Sequence, residues 1–289
     1  MEEVAAVLAG GATIGGAYVI MAIGLSTLYG VSDVFNMAYG SIIMLSAYIA
    51  WLLSTTVFSS FGYPLVFLIV PAIMFGVGLS IEWGMIRILR RKENWHITVI
   101  ISTVGLALIV NNLILRIFGP FEKRIPALGG GMVEVGGFVV EEHRIIMLII
   151  AAVTVVALYF FFKRTRLGMS MRAVAQDLTG GDIVGIPRNR VFGYTFGLSC
   201  ALAAVSGILL GSIYLLSPER GWVIFVKCFV IVVLGGAGSL LGAVIAAFTL
   251  GIIESIVSWQ LGSIWVMPFW LAALLIILAV RPRGFFGIR

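Results

Sequence analysis

The chain has 289 residues, of which 61% are hydrophobic and only 11% are charged. Soluble domains carry about 25% charged residues, so this chain has too few to cover a surface that faces water. The formal net charge is +6. Because the basic residues stand between apolar runs, they indicate membrane topology rather than binding of nucleic acid.

The apolar runs predict an all-α fold, a polytopic bundle of transmembrane helices that forms one domain over residues 1–289. Several runs reach the roughly 20 residues that a helix needs to cross a bilayer. The predicted segments are 4–29, 37–53, 64–88, 96–118, 145–162, 191–216, two within 222–257, and 263–280. The sequence GGAGS divides the stretch 222–257. The count is nine if this break is a turn and eight if one short piece is re-entrant.

The distribution of basic residues predicts the orientation of the chain. Basic residues cluster at 87–92, at 163–190 and in the C-terminal tail, whereas the N-terminus carries Glu2 and Glu3. The positive-inside rule therefore places the N-terminus outside, the three basic regions in the cytoplasm and the loop 119–144 outside the cytoplasm. Within that loop, VEVGGFVVEE predicts a small hairpin or an extended piece. About four segments on each side of 163–190 would run in opposite directions, which suggests an inverted repeat.

The polar stretch 163–190 contains a helical pattern. Met171, Val174, Ala175 and Leu178 recur at positions that share one helix face. The pattern predicts an amphipathic helix of about three turns. It is open to two interpretations, a helix that docks on a partner or a solvated connector that lies on lipid headgroups.

Three charged residues fall within apolar segments and are candidates for function, since charges inside a membrane are costly. Glu82 lies near the end of the third segment, while Lys227 and Glu254 lie on either side of GGAGS. A carrier coupled to protons would use such carboxylates as relays. The alternative is that each charge reaches the interface or pairs with a neighbouring helix.

Two helix breaks are candidates for the translocation pathway. The first lies within 30–41 and contains Asn36, Tyr39 and Gly40. The second contains Gly235, Gly236, Gly238 and Ser239. Backbone groups freed at such breaks must be satisfied by protein or by a cavity that holds water. Pathway walls and simple tight turns both fit these sequences.

Known catalytic and metal-binding patterns are missing from the sequence. GGAGSLLGA lacks the Lys-Ser/Thr pair of a phosphate-binding loop, and there is no H-E-x-x-H, G-x-S-x-G or paired-cysteine motif. Cys200 and Cys228 fit small packing positions. We therefore expect neither an enzyme nor a metal site, and no cofactor in this chain. A secondary carrier or channel, with Glu254 or Glu82 as its ion site, is the main alternative to a subunit of a larger transporter.

Three motifs carry a resemblance to a known family. YGVSDVFNMAYGSIIMLSAY, RLGMSMRAVAQDLTGGDIVGI and VLGGAGSLLGAVI occur in this order. Together they resemble the H-type (LivH-like) permease subunit of branched-chain amino acid ABC importers. The family signature Asn-Phe-Ala-x-Gly is represented by 36–40, with Met37 in place of phenylalanine.

The resemblance implies a set of partners in the inner membrane of a prokaryotic cell. These are a second permease subunit, two cytoplasmic ATPase subunits that hold ATP and magnesium, and an extracytoplasmic substrate-binding protein. It also implies that 163–190 is the segment that couples the permease to an ATPase. The residues expected to act in coupling are Arg172, Ala173, Val174, Gln176, Asp177, Leu178, Gly185 and Ile186. We expect the short helix to end near Leu178, with a bend at Gly180 and Gly181. Urea and short-chain amides are alternative substrates.

Overall fold

The computed structural model describes residues 2–57, 64–127, 129, 131–135, 138–281 and 284–286, and most of them are helical. The helices are α1 (Glu2–Ser32), α2 (Tyr39–Leu52), α3 (Pro64–Ile81), α4 (Arg87–Leu89), α5 (Trp95–Phe118), α6 (Glu142–Arg164), α7 (Arg166–Gln176), α8 (Leu178–Ile183), α9 (Arg188–Ile213), α10 (Arg220–Gly235), α11 (Leu240–Gln260) and α12 (Val266–Val280). π-Helical turns follow α2 (Leu53–Val57) and α3 (Glu82–Ile86), and a 3₁₀ turn (Ser263–Trp265) precedes α12.

The prediction of a polytopic helical bundle is confirmed. Eight helices, counted over the described ranges, have the length and apolar composition to cross a membrane. α10 is not one of them, because its 16 residues span only about 24 Å at 1.5 Å per residue. The GGAGS sequence forms a tight turn between α10 and α11, in which the Ser239 amide donates to the Gly236 carbonyl at 2.9 Å. Over the described residues, the bundle thus has eight helical spans of membrane length, one of which joins α2 to its π-helical turn, together with the shorter α10.

The two halves of the chain pack reciprocally, as an inverted repeat requires. α1 from the first half packs mainly on α11 from the second, and α9 from the second half packs mainly on α3 from the first. The short helices follow the same exchange, since α10 contacts α1 and α2 contacts α9. Each half therefore completes the core of the other.

A repeated glycine motif makes these reciprocal contacts. G-x-T-x-G occurs at Gly11–Gly15 and Gly193–Gly197, and F-x-x-G occurs at Phe75–Gly78 and Phe248–Gly251. A Cβ atom added to Gly15 would lie 3.0 Å from the Phe248 ring, and one added to Gly197 would lie 2.9 Å from the Phe75 ring. The same pair of motifs makes the same contact twice. Glycine permits these close helix approaches inside a membrane.

The N-termini of α2 and α10 meet in the middle of the bundle. Gly40 and Gly221 are each the second residue of their helix, and a Cβ atom at Gly40 would overlap the Gly221 carbonyl oxygen. The buried Tyr39 hydroxyl donates to the Ser199 carbonyl at 3.4 Å, about halfway along α9. The two short helices therefore begin at a shared crossing inside the bundle.

The polar stretch 163–190 contains two short helices. α7 ends at Gln176, close to the predicted end near Leu178, but the bend predicted at Gly180 and Gly181 is wrong. α7 ends before Asp177, whose backbone is extended, and the Asp177 carboxylate accepts from the Thr179 amide at 2.9 Å to cap α8. Aspartate is a preferred capping residue, so the break falls there and not at the glycines. Gly180 and Gly181 lie inside α8. A Cβ atom at Gly181 would lie only 3.4 Å from the Val174 side chain, so small size here serves the packing of α8 on α7.

The bundle has two distinct ends. The basic end carries α4, α7 and α8, and the hairpin end, at the other end of α9, carries strands β1 (Met132–Val135) and β2 (Phe138–Glu141). These strands pair antiparallel, so of the two structures predicted for VEVGGFVVEE, a hairpin or an extended piece, the hairpin is the one found. The 26 residues of α9 separate the two ends by about 39 Å.

Candidate functional site

A buried ion pair lies beside the crossing of the short helices. The Lys227 Nζ atom of α10 lies 2.6 Å from Glu254 Oε1 of α11. The same ammonium donates to the Tyr18 hydroxyl at 2.8 Å, and that hydroxyl donates to Glu254 Oε2 at 2.8 Å. The exposed fraction is 8% for Lys227 and 4% for Glu254. Three helices thus converge on one pair of opposite charges.

Aromatic side chains complete the surroundings of this pair. The Trp270 indole donates to Glu254 Oε2 at 3.0 Å, and the Tyr214 hydroxyl donates to Oε1 at 3.4 Å. The Lys227 Nζ atom lies 5.4–5.6 Å from the ring centroids of Tyr18, Tyr214 and Trp270, within the range of cation–π attraction. We call these five residues the Lys227 cluster. Four donors reach its one carboxylate, so both charges are compensated.

Two cavities adjoin the Lys227 cluster. The smaller, of about 170 Å³, lies against α2, α9 and α10 and is mostly apolar. The larger, of about 680 Å³, opens toward the hairpin end and contains Glu254 among its polar lining residues. Lys227 and Tyr214 line both cavities. These two side chains therefore stand between a space near the helix crossing and a space nearer the hairpin end.

A second buried carboxylate lies toward the basic end. Glu82 follows the F-x-x-G motif of α3 and forms an ion pair with Arg90. Its other oxygen, Oε2, has no hydrogen-bond partner among the described residues. Burial lowers the pKa of the Arg90 guanidinium from its usual value, and the Glu82 carboxylate opposes that effect. The Arg90 guanidinium also lies 4.0 Å from the Phe192 ring centroid. Pairing with a neighbour is thus the arrangement found for all three charges noted in the sequence.

The first helix break supplies a turn into α2. The Asn36 side chain accepts from the Ala38 amide at 3.0 Å, and the Met37 amide donates to Thr103 Oγ1 at 3.2 Å. Asn36 is buried, and its side chain ends the irregular segment much as an Asx turn does. Of the predicted residues of this break, Gly40 lies at the crossing itself, and the buried Tyr39 adjoins it.

The second break is a turn and does not enter the bundle as a re-entrant loop. Gly236 and Gly238 have φ angles of 92° and 85°, a conformation that favours glycine. The Ser239 hydroxyl accepts from the Gly242 amide at 3.2 Å and caps α11. Gly235 lies in backbone contact with Gly242. Gly235, Gly236, Gly238 and Ser239 therefore form a turn, and none of them belongs to the Lys227 cluster.

The predicted coupling residues divide into an inner and an outer set. Val174 is 4% exposed and packs inward, with Met171, against the body of the bundle. Arg172, Gln176 and Asp177 are exposed, and Ala173, Leu178 and Ile186 are half-buried. Of the predicted apolar face, Met171 and Val174 therefore face the chain's own core, whereas Leu178 is half-buried and Ala175 is exposed. Large exposed apolar side chains lie instead at the end of α8, where Ile183 is 81% exposed and Val184 is 73% exposed.

Gly185 and Ile186 end α8 in a Schellman motif. The Ile186 amide donates to the Gly181 carbonyl and the Gly185 amide to the Asp182 carbonyl, with Gly185 at a φ angle of 78°. This geometry holds Ile183 and Val184 at an exposed corner. Gly185 and Ile186, which resemble the family pattern, thus fix the backbone that exposes Ile183 and Val184.

Reasoning from the sequence missed Tyr18, Tyr214, Trp270 and Gly221. One signal could have found the packing that unites them, namely the repeat of G-x-T-x-G in the first and sixth segments. The pairing of Lys227 with Glu254 was also missed, because 27 residues and a turn separate them. No group of three or more His, Cys, Asp or Glu side chains in the described part of the chain could hold a metal ion.

A helical membrane bundle of two reciprocal halves, with short helices that begin at its middle and cavities beside a buried ion pair, has the architecture of a transport permease. A family model described as branched-chain amino acid transport system / permease component matches residues 7–280. The chain belongs to this family.

Curated relatives cover nearly the whole chain. The permease protein LivH of a high-affinity branched-chain amino acid transport system from Escherichia coli is 29% identical, over 96% of this chain and 93% of that protein. The corresponding BraD protein of Pseudomonas aeruginosa is 31% identical, over 97% of this chain and 94% of that protein. A probable LivH protein of Methanocaldococcus jannaschii is 24% identical, over 85% and 78%. No solved structure matches the chain.

Proposed function

We propose that this permease carries branched-chain amino acids across a prokaryotic cell membrane as one of two permease subunits of an ABC importer. Two ATPase subunits, which bind ATP and magnesium, would drive the pair from the basic end, and a binding protein would deliver substrate at the hairpin end. The family match over residues 7–280 supports the permease role. The names of the relatives support the substrate class.

The exposed corner of α8 is the observation that supports an ATPase contact at the basic end. Ile183 and Val184 form an apolar pair in a segment otherwise rich in arginine, and a solvated connector gains nothing from exposing them. The positive-inside rule places this end in the cytoplasm, where an ATPase subunit can reach it. Arg172, Gln176 and Asp177 would surround the apolar pair with polar contacts, the usual anatomy of a protein interface.

Replacing Ile183 and Val184 with aspartate tests this contact. We expect the double variant to lose most of the ATPase that co-purifies with the permease, since loss of a central apolar anchor costs about 2 kcal/mol or more. The fold should persist, because neither side chain is buried. Ile264→Asp is the matched control, since Ile264 is 86% exposed beside α12 and far from α8 along the chain. Normal ATPase recovery with the double variant would exclude this corner as the contact.

Transport by the reconstituted complex tests the substrate class. Proteoliposomes that contain the permease pair and the ATPase subunits should take up labelled leucine, isoleucine or valine only with ATP and the binding protein. Uptake of urea or acetamide in place of these amino acids would redirect the assignment. Uptake by the permease alone under an ion gradient would support a secondary carrier. The four donors around Glu254 favour a fixed carboxylate there over a proton relay.

A further inference from the structure

The cavity of about 170 Å³ has an amphipathic lining. One wall is aliphatic and includes Ile43 and Met44 of α2 and Leu210 of α9. The lining also includes two basic residues, Arg220 and Lys227. Drug-sized ligands occupy pockets of about 300–1,000 Å³, so this volume suits a smaller solute. The lining therefore fits a small molecule with an aliphatic part and an anionic part.

Small residues form part of the cavity wall. Ala47, Gly207 and Gly211 are among the lining residues, and each contributes little or no side chain. A Cβ atom on Gly211 would lie 2.7 Å from the Ile125 side chain, so the wall is closely packed behind this glycine. The space lies beside α2 and α10, whose first turns cross at Gly40 and Gly221. It is thus near the place where the two halves of the repeat meet, which is where transporters handle substrate.

Arg220 is the charge available to a ligand. Lys227 is already compensated by Glu254, whereas the Arg220 guanidinium has no ion-pair partner in the described ranges of the chain. Arg220 is also the first residue of α10, where the unsatisfied amides of a helix N-terminus favour negative charge. A guanidinium matches a carboxylate with two parallel hydrogen bonds. An anionic group is therefore best placed at Arg220, with Lys227 deeper in the cavity.

We propose that this cavity is a transient substrate site in the membrane, in which Arg220 binds the carboxylate of an aliphatic amino acid and the α2–α9 wall holds its side chain. This inference rests on the proposed function and deepens it by placing the substrate. Urea and short-chain amides carry no carboxylate and no branched side chain, so the site discriminates against both. Lys227 and Tyr214, which also line the larger cavity, border the route into it from the hairpin end.

Two variants test the site in the complete complex reconstituted with its binding protein. Arg220→Gln should raise the KM of ATP-driven leucine uptake about tenfold or more, because a charge-assisted hydrogen bond to the substrate is lost. Arg220→Lys should recover part of the loss. Ala47→Leu fills the cavity and should reduce uptake of leucine more than uptake of alanine. The controls are Arg116→Gln, an exposed arginine at the end of α5, and Ala272→Leu, on an exposed position of α12.

A binding measurement removes the contribution of the binding protein. Equilibrium dialysis of labelled leucine against the complex in nanodiscs, without that protein, should show competition by 4-methylpentanoate, which keeps the carboxylate and the side chain. Leucinamide, which lacks the carboxylate, should not compete. The reverse order of competitors, or wild-type KM in both Arg220→Gln and Ala47→Leu with normal assembly, overturns the site while leaving the transport function intact. Absence of leucine transport by the wild-type complex overturns the proposed function itself.

Discussion

Glu254 and Glu82 occupy comparable places in the two halves of the chain, each within four residues of an F-x-x-G motif, yet their surroundings differ. Glu254 receives hydrogen bonds from lysine, tryptophan and two tyrosines. Glu82 pairs with Arg90 alone, and one of its oxygens is unsatisfied among the described residues. Both halves of the repeat contain a buried carboxylate, but only that of Glu254 has hydrogen bonds to both of its oxygens among the described residues. The Glu254 site is therefore the more rigid, and the Glu82 site is the one with room to rearrange.

The largest expected effect comes from removing the carboxylate of the completed site. Glu254→Leu leaves Lys227 buried without its anion, and we expect the free energy of unfolding to fall by about 3–5 kcal/mol. Adding Lys227→Met should recover most of this loss, because two apolar residues replace the pair. Denaturation midpoints in detergent measure both effects. A double variant less stable than Glu254→Leu would contradict this account of the pair.

A smaller effect is expected in the incomplete site. Glu82→Leu removes the partner of Arg90, but that guanidinium keeps its contact with the Phe192 ring and lies toward the basic end, where water is near. The expected loss is about 1–3 kcal/mol. The same denaturation measurement applies, with Glu82→Gln as the variant that preserves shape. If Glu82→Leu costs as much as Glu254→Leu, the two sites are equivalent and the comparison fails.

The smallest expected change in stability comes from removing single hydroxyl donors, those of Tyr18 and Tyr214, from the Lys227 cluster. Tyr18→Phe removes a hydroxyl that accepts from Lys227 and donates to Glu254, and we expect a loss of about 1–2 kcal/mol. Tyr214→Phe removes only a hydrogen bond of 3.4 Å and should cost less. Equal losses would contradict the expectation that the two hydrogen bonds of the Tyr18 hydroxyl stabilise the protein more than the single hydrogen bond of Tyr214.

The fold was predictable from the sequence because membrane helices are determined by local apolar runs. The hairpin in 119–144 and the turn at GGAGS also follow from local residues. The bend within 163–190 lies at Asp177 and not at Gly180 and Gly181, because the capping hydrogen bond of the Asp177 side chain outweighs the low helix propensity of glycine. Periodicity identifies an apolar face on the helix that contains Val174, but it does not identify what that face packs against.

The site was less predictable, since its members come from distant parts of the chain. Tyr18 and Glu254 are separated by 236 positions and meet only through the packing of α1 on α11. Each charge was recognised as a candidate, but the sequence contains no local signal for their pairing. The repeated G-x-T-x-G motif is the exception. It points to α1 and α9 as equivalents, and with F-x-x-G it would have indicated which helices pack together.

The reciprocal packing has a consequence for the order in which the protein is made. α1 and α3 are synthesised early, but their main partners, α11 and α9, emerge from the ribosome only after the basic stretch 163–190. Until then Gly11 and Gly15 of α1 and Gly78 of α3 lack the partner helices against which they pack in the complete chain. Closure of the bundle is thus a late event with high contact order, and a chain truncated before α9 cannot form its core.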